Sequence, residues 1–378
     1  MGLSEDRRSS QARALDPSEL GPAAGISTRP SRHLAVLALV FAATGFGLMF
    51  AYSDGQKLLR AASGISWARL AAPIGATLLS YLLMALSYEG IAAAAGSRIG
   101  LAKMLRITFV SNTVNYLVAT GGLSGFALRM YFFSQSGIPV GRAVTISLVQ
   151  GLLTNLVLLG FLVMGFYFLV VNHTLSTAAL VSASILLAVF VGVTLLCVLL
   201  IIHRRIRRRV LFWMAEIGHR IARRLLPRNR APRRVRLWRL QHNINQGLEF
   251  MLSSYRLMVL PTLYITLDWV VTLAVLWGSF WCVGQRISVP LVVVGFAVGI
   301  LLSMVSLAPG GIGVMEGSMT TVFVALGKPL ETTVIAVLIF RFAYYAVPFL
   351  LSIAFFRGMM RAAGAPPLLA GGARAQSA

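Results

Sequence analysis

Arg129, Asp268, Glu316 and Arg341 are ionisable residues inside stretches that are otherwise apolar enough to lie in a membrane. A charge at that depth is costly, and it faces a polar cavity or an opposite charge. Glu316 closes the run Pro309-Gly310-Gly311-Ile312-Gly313-Val314-Met315, and Arg129 follows the related run Gly121-Gly122-Leu123-Ser124. Pro removes a backbone donor and Gly weakens a helix, so each run breaks a helix where lipid cannot satisfy the freed N–H and C=O groups. Such backbone survives only against protein or a water-filled cavity. The N–H groups that open a resumed helix carry partial positive charge and hold anions such as phosphate. The chemistry on offer is recognition of a polar or anionic headgroup. Its candidate residues are Asn115, Gly121, Gly122 and Arg129 at the first break, and Pro309, Gly310, Gly311, Gly313 and Glu316 at the second. Arg341, Tyr344 and Tyr345 on the last span complete the set.

A purely structural reading competes with this one. Arg129 and Glu316 can pair with each other or with backbone carbonyls, and Asp268–Arg341 and Glu316–Arg341 pairs are both open. Asn112, Gln150 and Asn155 can line a polar path or tie helices together. Enzyme signatures are missing: the chain has no HExxH, phosphate-binding P-loop, GxSxG or Cys/His cluster. The expectation is a protein that is not an enzyme and uses no cofactor or metal.

The elements that must position these residues are membrane helices. Of the 378 residues, 57% are hydrophobic and only 12% charged, outside the range of ordinary soluble domains. Lys and Arg outnumber Asp and Glu by 34 to 11, for a net charge of +23. Because that charge lies between apolar spans, its partner is the anionic headgroup layer and not nucleic acid. The expected fold is all-α and polytopic, with about six full spans plus two re-entrant broken segments in an inverted repeat. Residues 1–32 form a disordered cytoplasmic tail. Residues 33–202 form a first membrane half with spans at 33–52, 70–95, 144–171 and 178–202 and a broken segment at 107–134. Residues 203–256 form an Arg-rich cytoplasmic amphipathic linker. Residues 257–357 form a second half with spans at 257–283 and 332–356 around the broken segment 289–327, and 358–378 a cytoplasmic tail. With the Arg-rich linker and both termini inside, counting spans makes the two broken segments dip in from opposite faces, the signature of inverted repeats around a midplane site.

Between residues 204 and 239 there are fourteen arginines and one acid, Glu216. Val210, Leu211, Met214, Ile217, Ile221 and Leu225 recur at helical spacing, which predicts a basic amphipathic helix on the inner leaflet that ends before Pro227. Arg204, Arg205, Arg207, Arg208 and Arg209 are its expected leaflet contacts.

The run from Pro309 to Glu316, followed by Arg341, Tyr344 and Tyr345, resembles the lysylphosphatidylglycerol synthase transmembrane-region family, also called flippase-like membrane proteins. A weaker likeness runs from Asn115 through Gly121-Gly122 to Arg129. There the family pattern has Pro before the glycines and an acid after them, where this chain has Val118 or Ala119 and Ser124. The resemblance implies a bacterial cytoplasmic-membrane protein that moves a phospholipid, glycolipid or hopanoid-type lipid. Two-part members carry a further aminoacyl-transferase domain, and the expectation is that this chain, which runs only a short way past Phe356, acts without one. A membrane-embedded lipid-modifying transferase and a non-transporting scaffold for lipid-synthesis enzymes are the alternatives. Expected partners are membrane lipids, the anionic inner leaflet, a lipid-synthesis enzyme and a second copy in a homodimer.

Overall fold

A computed structural model describes residues 65–117, 123–171, 177–225, 234–305 and 311–362. The expected span at 33–52 and the residues Gly121, Gly122, Pro309 and Gly310 lie outside the described residues.

Every element described is helical. The first half runs through α1 (Ala71–Ala94), α2 (Leu101–Leu117), α3 (Leu123–Gln135), α4 (Val140–Val171) and α5 (Thr177–Ile202). Two helices, α6 (Arg204–Leu225) and α7 (Arg234–Ser253), lead to the second half. That half runs through α8 (Val259–Cys282), α9 (Val289–Val305), α10 (Val314–Ala325), α11 (Leu330–Arg341), a π-helical turn (Phe342–Ala346) and α12 (Val347–Ala362). Five helical segments among the described residues are long and apolar enough to cross a membrane: Trp67–Ala94, Val140–Val171, Leu180–Ile202, Tyr255–Cys282 and Leu330–Met359. The protein is an all-α polytopic membrane protein.

Both segments expected to be broken are helical hairpins. Helices α2 and α9 have 17 residues each, and α3 and α10 have 13 and 12. At 1.5 Å per residue these reach about 26 Å and about 19 Å, short of the roughly 30 Å of a hydrocarbon core. In the first hairpin Gly125 sits against Ser111 and Asn115; in the second Gly295 faces Phe323 and Gly299 faces Met319. Gly295 meets the later Phe323 and Gly299 the earlier Met319, while in the first hairpin Ser124 reaches the Val114 carbonyl and Arg129 the earlier Ser111, so the arms of each run antiparallel. Lipid tails are as apolar as Leu, so helices in a bilayer associate through close packing, which small residues permit. A Cβ on Gly295 would lie 2.2 Å from the ring of Phe323, which is itself fully buried against Phe280. Gly295→Ala is therefore expected to destabilise the second hairpin by about 1–3 kcal/mol, read as a lower apparent melting temperature in detergent.

The halves share one plan. Trp67–Leu70 and Tyr255–Met258 are 3-10 turns that open helices α1 and α8, each of 24 residues. Gly96 and Gly284 close those helices at φ 72° and 73°, and each is followed two and three residues on by Arg and Ile. Gly137 and Gly327, at φ 77° and 83°, close the hairpins, each two residues before a Pro. Helices α1 and α8 pack along their lengths in opposite directions: the Ser66 amide donates to the Cys282 carbonyl, Ser80 meets Asp268, and Gly90 lies against Pro261. The contact is reciprocal, because Gly278 lies against Pro73 in the same way.

Candidate functional site

The second break is closed by an ion pair. Gly311 and Gly313 have φ of 64° and 84°, a left-handed backbone that favours glycine. A Cβ on Gly311 would also lie 2.0 Å from Ser303 Oγ. Helix α10 then starts with Glu316 in its first turn, where Oε2 accepts from the Gly313 amide at 2.7 Å. Glu316 Oε1 meets Arg341 Nε at 2.6 Å, and Arg341 Nη2 donates to the Gly311 carbonyl at 3.2 Å. One carboxylate and one guanidinium thus satisfy an amide and a carbonyl that the broken helix leaves over. Both side chains are buried, Glu316 at 4% and Arg341 at 9% exposure.

Arg341 ends α11, and the π-helical turn that follows re-aims the two tyrosines after it. Such an inserted residue is a recurrent feature of functional sites in helices. Tyr345 lies under Arg341, with the guanidinium carbon 4.2 Å from the ring centre. Its other neighbour is Tyr116 near the end of α2, at 4.9 Å between ring centres. The last described turn before the first break therefore meets the clamp of the second. Tyr344 turns the other way, onto Phe340, Thr272 and Ser80.

Arg129 is held differently. It is 9% exposed on α3 and reaches across its hairpin to Ser111 Oγ at 3.1 and 3.3 Å and Asn112 Oδ1 at 3.1 Å. It donates to the Tyr88 hydroxyl on α1 and stacks on that ring at 4.2 Å. All these partners are neutral. Among the described residues no carboxylate pairs with Arg129.

Of the candidate residues, the structure joins Gly311, Gly313, Glu316, Arg341 and Tyr345 in one clamp, with Tyr116 linking it to the first hairpin. Asn115 packs on Gly125, and its Oδ1 is buried without a partner. The Glu316–Arg341 pair forms, whereas Asp268 bonds to Ser80, not to Arg341, and Gln150 accepts from Ser87 at 2.8 Å. Tyr88, Ser111, Tyr116 and Ser80 were not among the candidates. A hydroxyl in an apolar helix carries no charge signal, and only its partners in space mark it out.

The Arg-rich linker needs one correction. Helix α6 ends at Leu225, before Pro227, and Arg204, Arg205, Arg208 and Arg209 are exposed. Arg207 is not a leaflet contact: it is 3% exposed and faces α7, bonding Asn245 Oδ1 at 2.7 Å, Glu249 Oε1 at 3.0 Å and the Ile201 carbonyl. Its position on the helix turns it inward, where Glu249 supplies the counter-charge. Arg204 shares that carboxylate from outside, at 2.8 Å. Ile206, Phe212 and Trp213 are exposed beside the remaining arginines.

Comparison with known proteins places these features. Residues 34–352 match the family described as the lysylphosphatidylglycerol synthase TM region. The chain is 29% identical over 224 residues to a phosphatidylglycerol lysyltransferase of Staphylococcus haemolyticus, in a match that covers 57% of this chain and 25% of that protein. It is 23% identical over 259 residues to the phosphatidylglycerol lysyltransferase of Bacillus subtilis, covering 68% of this chain and 26% of the relative. With the Staphylococcus aureus protein of the same name it shares 25% over 258 residues, again 68% of this chain and 25% of the relative. The chain spans about a quarter of the length of these relatives. With its match running through both hairpins and on into α12, this chain belongs to the lysylphosphatidylglycerol synthase TM-region family.

Proposed function

We propose that the chain moves a polar- or anionic-headed lipid between the leaflets of the bacterial cytoplasmic membrane, and that it does so as a transporter and not as a transferase. The headgroup enters between the two hairpins and meets Arg129 and the Glu316–Arg341 clamp, while the acyl chains stay in the bilayer. The hairpins act as re-entrant segments, and the halves act as inverted repeats that rock about the fixed site. What carries the reading is the convergence of two interrupted helices on one polar junction, beside a buried arginine with only neutral partners. The antiparallel packing of the matching helices α1 and α8 supports the inversion. The exposed arginines of α6, with Trp213 beside them, support a cytoplasmic linker lying on anionic headgroups. The relatives' names mark their substrate as a lipid, and the part they share with this chain is its membrane region. A homodimer and a lipid-synthesis enzyme are further partners of this reading.

The test is lipid movement in vesicles that contain only the purified chain, with fluorescent phosphatidylglycerol and phosphatidylethanolamine scored by dithionite quenching. Wild type exposes the inner-leaflet probe. Arg129→Gln removes the charge but keeps a donor, so movement of the anionic probe falls by roughly tenfold, on the scale of one lost charge-assisted hydrogen bond. Equal rates for both proteins sink the assignment of Arg129, and no movement of any probe sinks the transport reading.

A further inference from the structure

Asp268 is the buried charge-bearing group that the lipid site does not use. It lies at the middle of the Tyr255–Cys282 span and is 6% exposed. Its partner is the Ser80 hydroxyl, which donates to Oδ1 at 2.5 Å; among the described residues no Lys or Arg pairs with it. A carboxylate charge at that depth would stand without a counter-cation.

Its place in the fold is distinctive. Ser80 and Asp268 are 188 residues apart, the same step that relates Pro73 to Pro261, Gly90 to Gly278 and Gly96 to Gly284. Each is therefore the other's counterpart in the two halves. They touch where the reciprocal contacts of Gly90 with Pro261 and Gly278 with Pro73 place the local two-fold axis. A group on that axis is equally disposed toward the two ends of the molecule.

The surroundings are hydroxyl-rich. Thr272 Oγ1 donates to the Asp268 backbone carbonyl at 2.9 Å and lies 3.3 Å from the Tyr344 hydroxyl, and Ser80 Oγ lies 3.5 Å from each of these two hydroxyls. The titratable groups that face Asp268 are Tyr81 on α1, Tyr116 on α2 and Tyr344 on the π turn. Arg341 and Glu316 stand beyond Tyr345 and are paired with each other. Toward the first break, the buried Tyr81 hydroxyl faces Thr113 Oγ1, and Asn115 Oδ1 is a buried polar atom without a hydrogen-bond partner. Buried polar atoms normally bond to protein or ordered water, so this row is suited to a polar path between Asp268 and the hairpin. The link to the clamp is covalent, since Tyr344 faces Asp268's neighbours and the adjacent Tyr345 carries Arg341.

We propose that Asp268 is a proton-coupling site: it takes a proton from water on one side of the membrane and releases it to water on the other as the halves exchange around the lipid. The inference rests on the transport reading.

The experiment uses the full chain in phosphatidylethanolamine/phosphatidylglycerol vesicles at equal sodium, with movement of fluorescent phosphatidylglycerol timed under a pH gradient of either sign and under none. Wild type is expected to change rate several-fold with the gradient, and Asp268→Asn to lose that response. Asn keeps an acceptor for Ser80, and an unshifted melting temperature checks that it folds. Infrared difference spectra between low and high pH should show a carboxylic C=O band in wild type that Asp268→Asn lacks. A gradient response in Asp268→Asn, a wild type that moves lipid without heeding the gradient, or a response to sodium instead of pH overturns the proposal. If wild type moves no lipid, the transport reading fails, and absence of the infrared band would show separately that Asp268 exchanges no proton.

Discussion

Arg341→Ala is expected to reduce lipid movement to the rate of protein-free vesicles and to lower stability by about 3–5 kcal/mol, the scale for breaking one side of a buried ion pair. Two losses combine. Glu316, almost fully buried, is left with no cation beside it, and the Gly311 carbonyl loses its donor where lipid offers none. The single variant does not by itself separate a lost headgroup contact from a loosened break. The double variant Glu316→Gln with Arg341→Met does, because replacing both partners of a buried pair is often neutral or stabilising. It should recover most of the melting temperature, since the Gln carbonyl can still accept from Gly313, and yet move no lipid. Recovered transport would mean that the pair only holds the break together.

Gly125→Ala should be nearly as damaging without touching a charge. The new Cβ would lie 2.4 Å from the Ser111 carbonyl and 2.8 Å from Asn115 Cβ. A side chain could rotate away, but a backbone oxygen cannot, so α2 and α3 must part. Arg129, one turn further along α3, then loses Ser111 and Asn112 together. We expect a stability loss of about 1–3 kcal/mol and a fall in phosphatidylglycerol movement exceeding that of Arg129→Gln. Gly317→Ala is the matched control, because a Cβ there meets nothing within 4 Å. Wild-type rates in Gly125→Ala would show that the hairpin packing does not position the site.

The helix breaks and the buried charges were legible because they rest on local chemistry. Clustered Pro and Gly break a helix that single ones do not, and a charge in an apolar run demands a partner. The partners themselves were not legible. Nothing in Ser80 or Tyr88 distinguishes it from its neighbours until α8 and α3 are packed against α1. The charge run at 204–209 misled at Arg207, since composition does not say which arginine faces the lone nearby acid on the next helix. The shared plan of the halves was visible in part: Gly96-Ser97-Arg98-Ile99 and Gly284-Gln285-Arg286-Ile287 are close copies. Four residues in 378 are a weak signal alone; the equal lengths of α1 and α8 and the matching left-handed glycines add to it.

The reciprocal packing of α1 on α8 also bears on how the chain is made. Matching helices that run in opposite directions present the insertion machinery with the same apolar pattern twice, once in each orientation. The core of each half therefore cannot dictate which way it enters. That choice falls to residues outside the shared plan, and the densest such group is the arginine cluster of α6, which has no counterpart elsewhere in the described fold. Neutralising Arg205, Arg208 and Arg209 is therefore expected to scramble orientation while sparing the Arg204 and Arg207 contacts to Glu249.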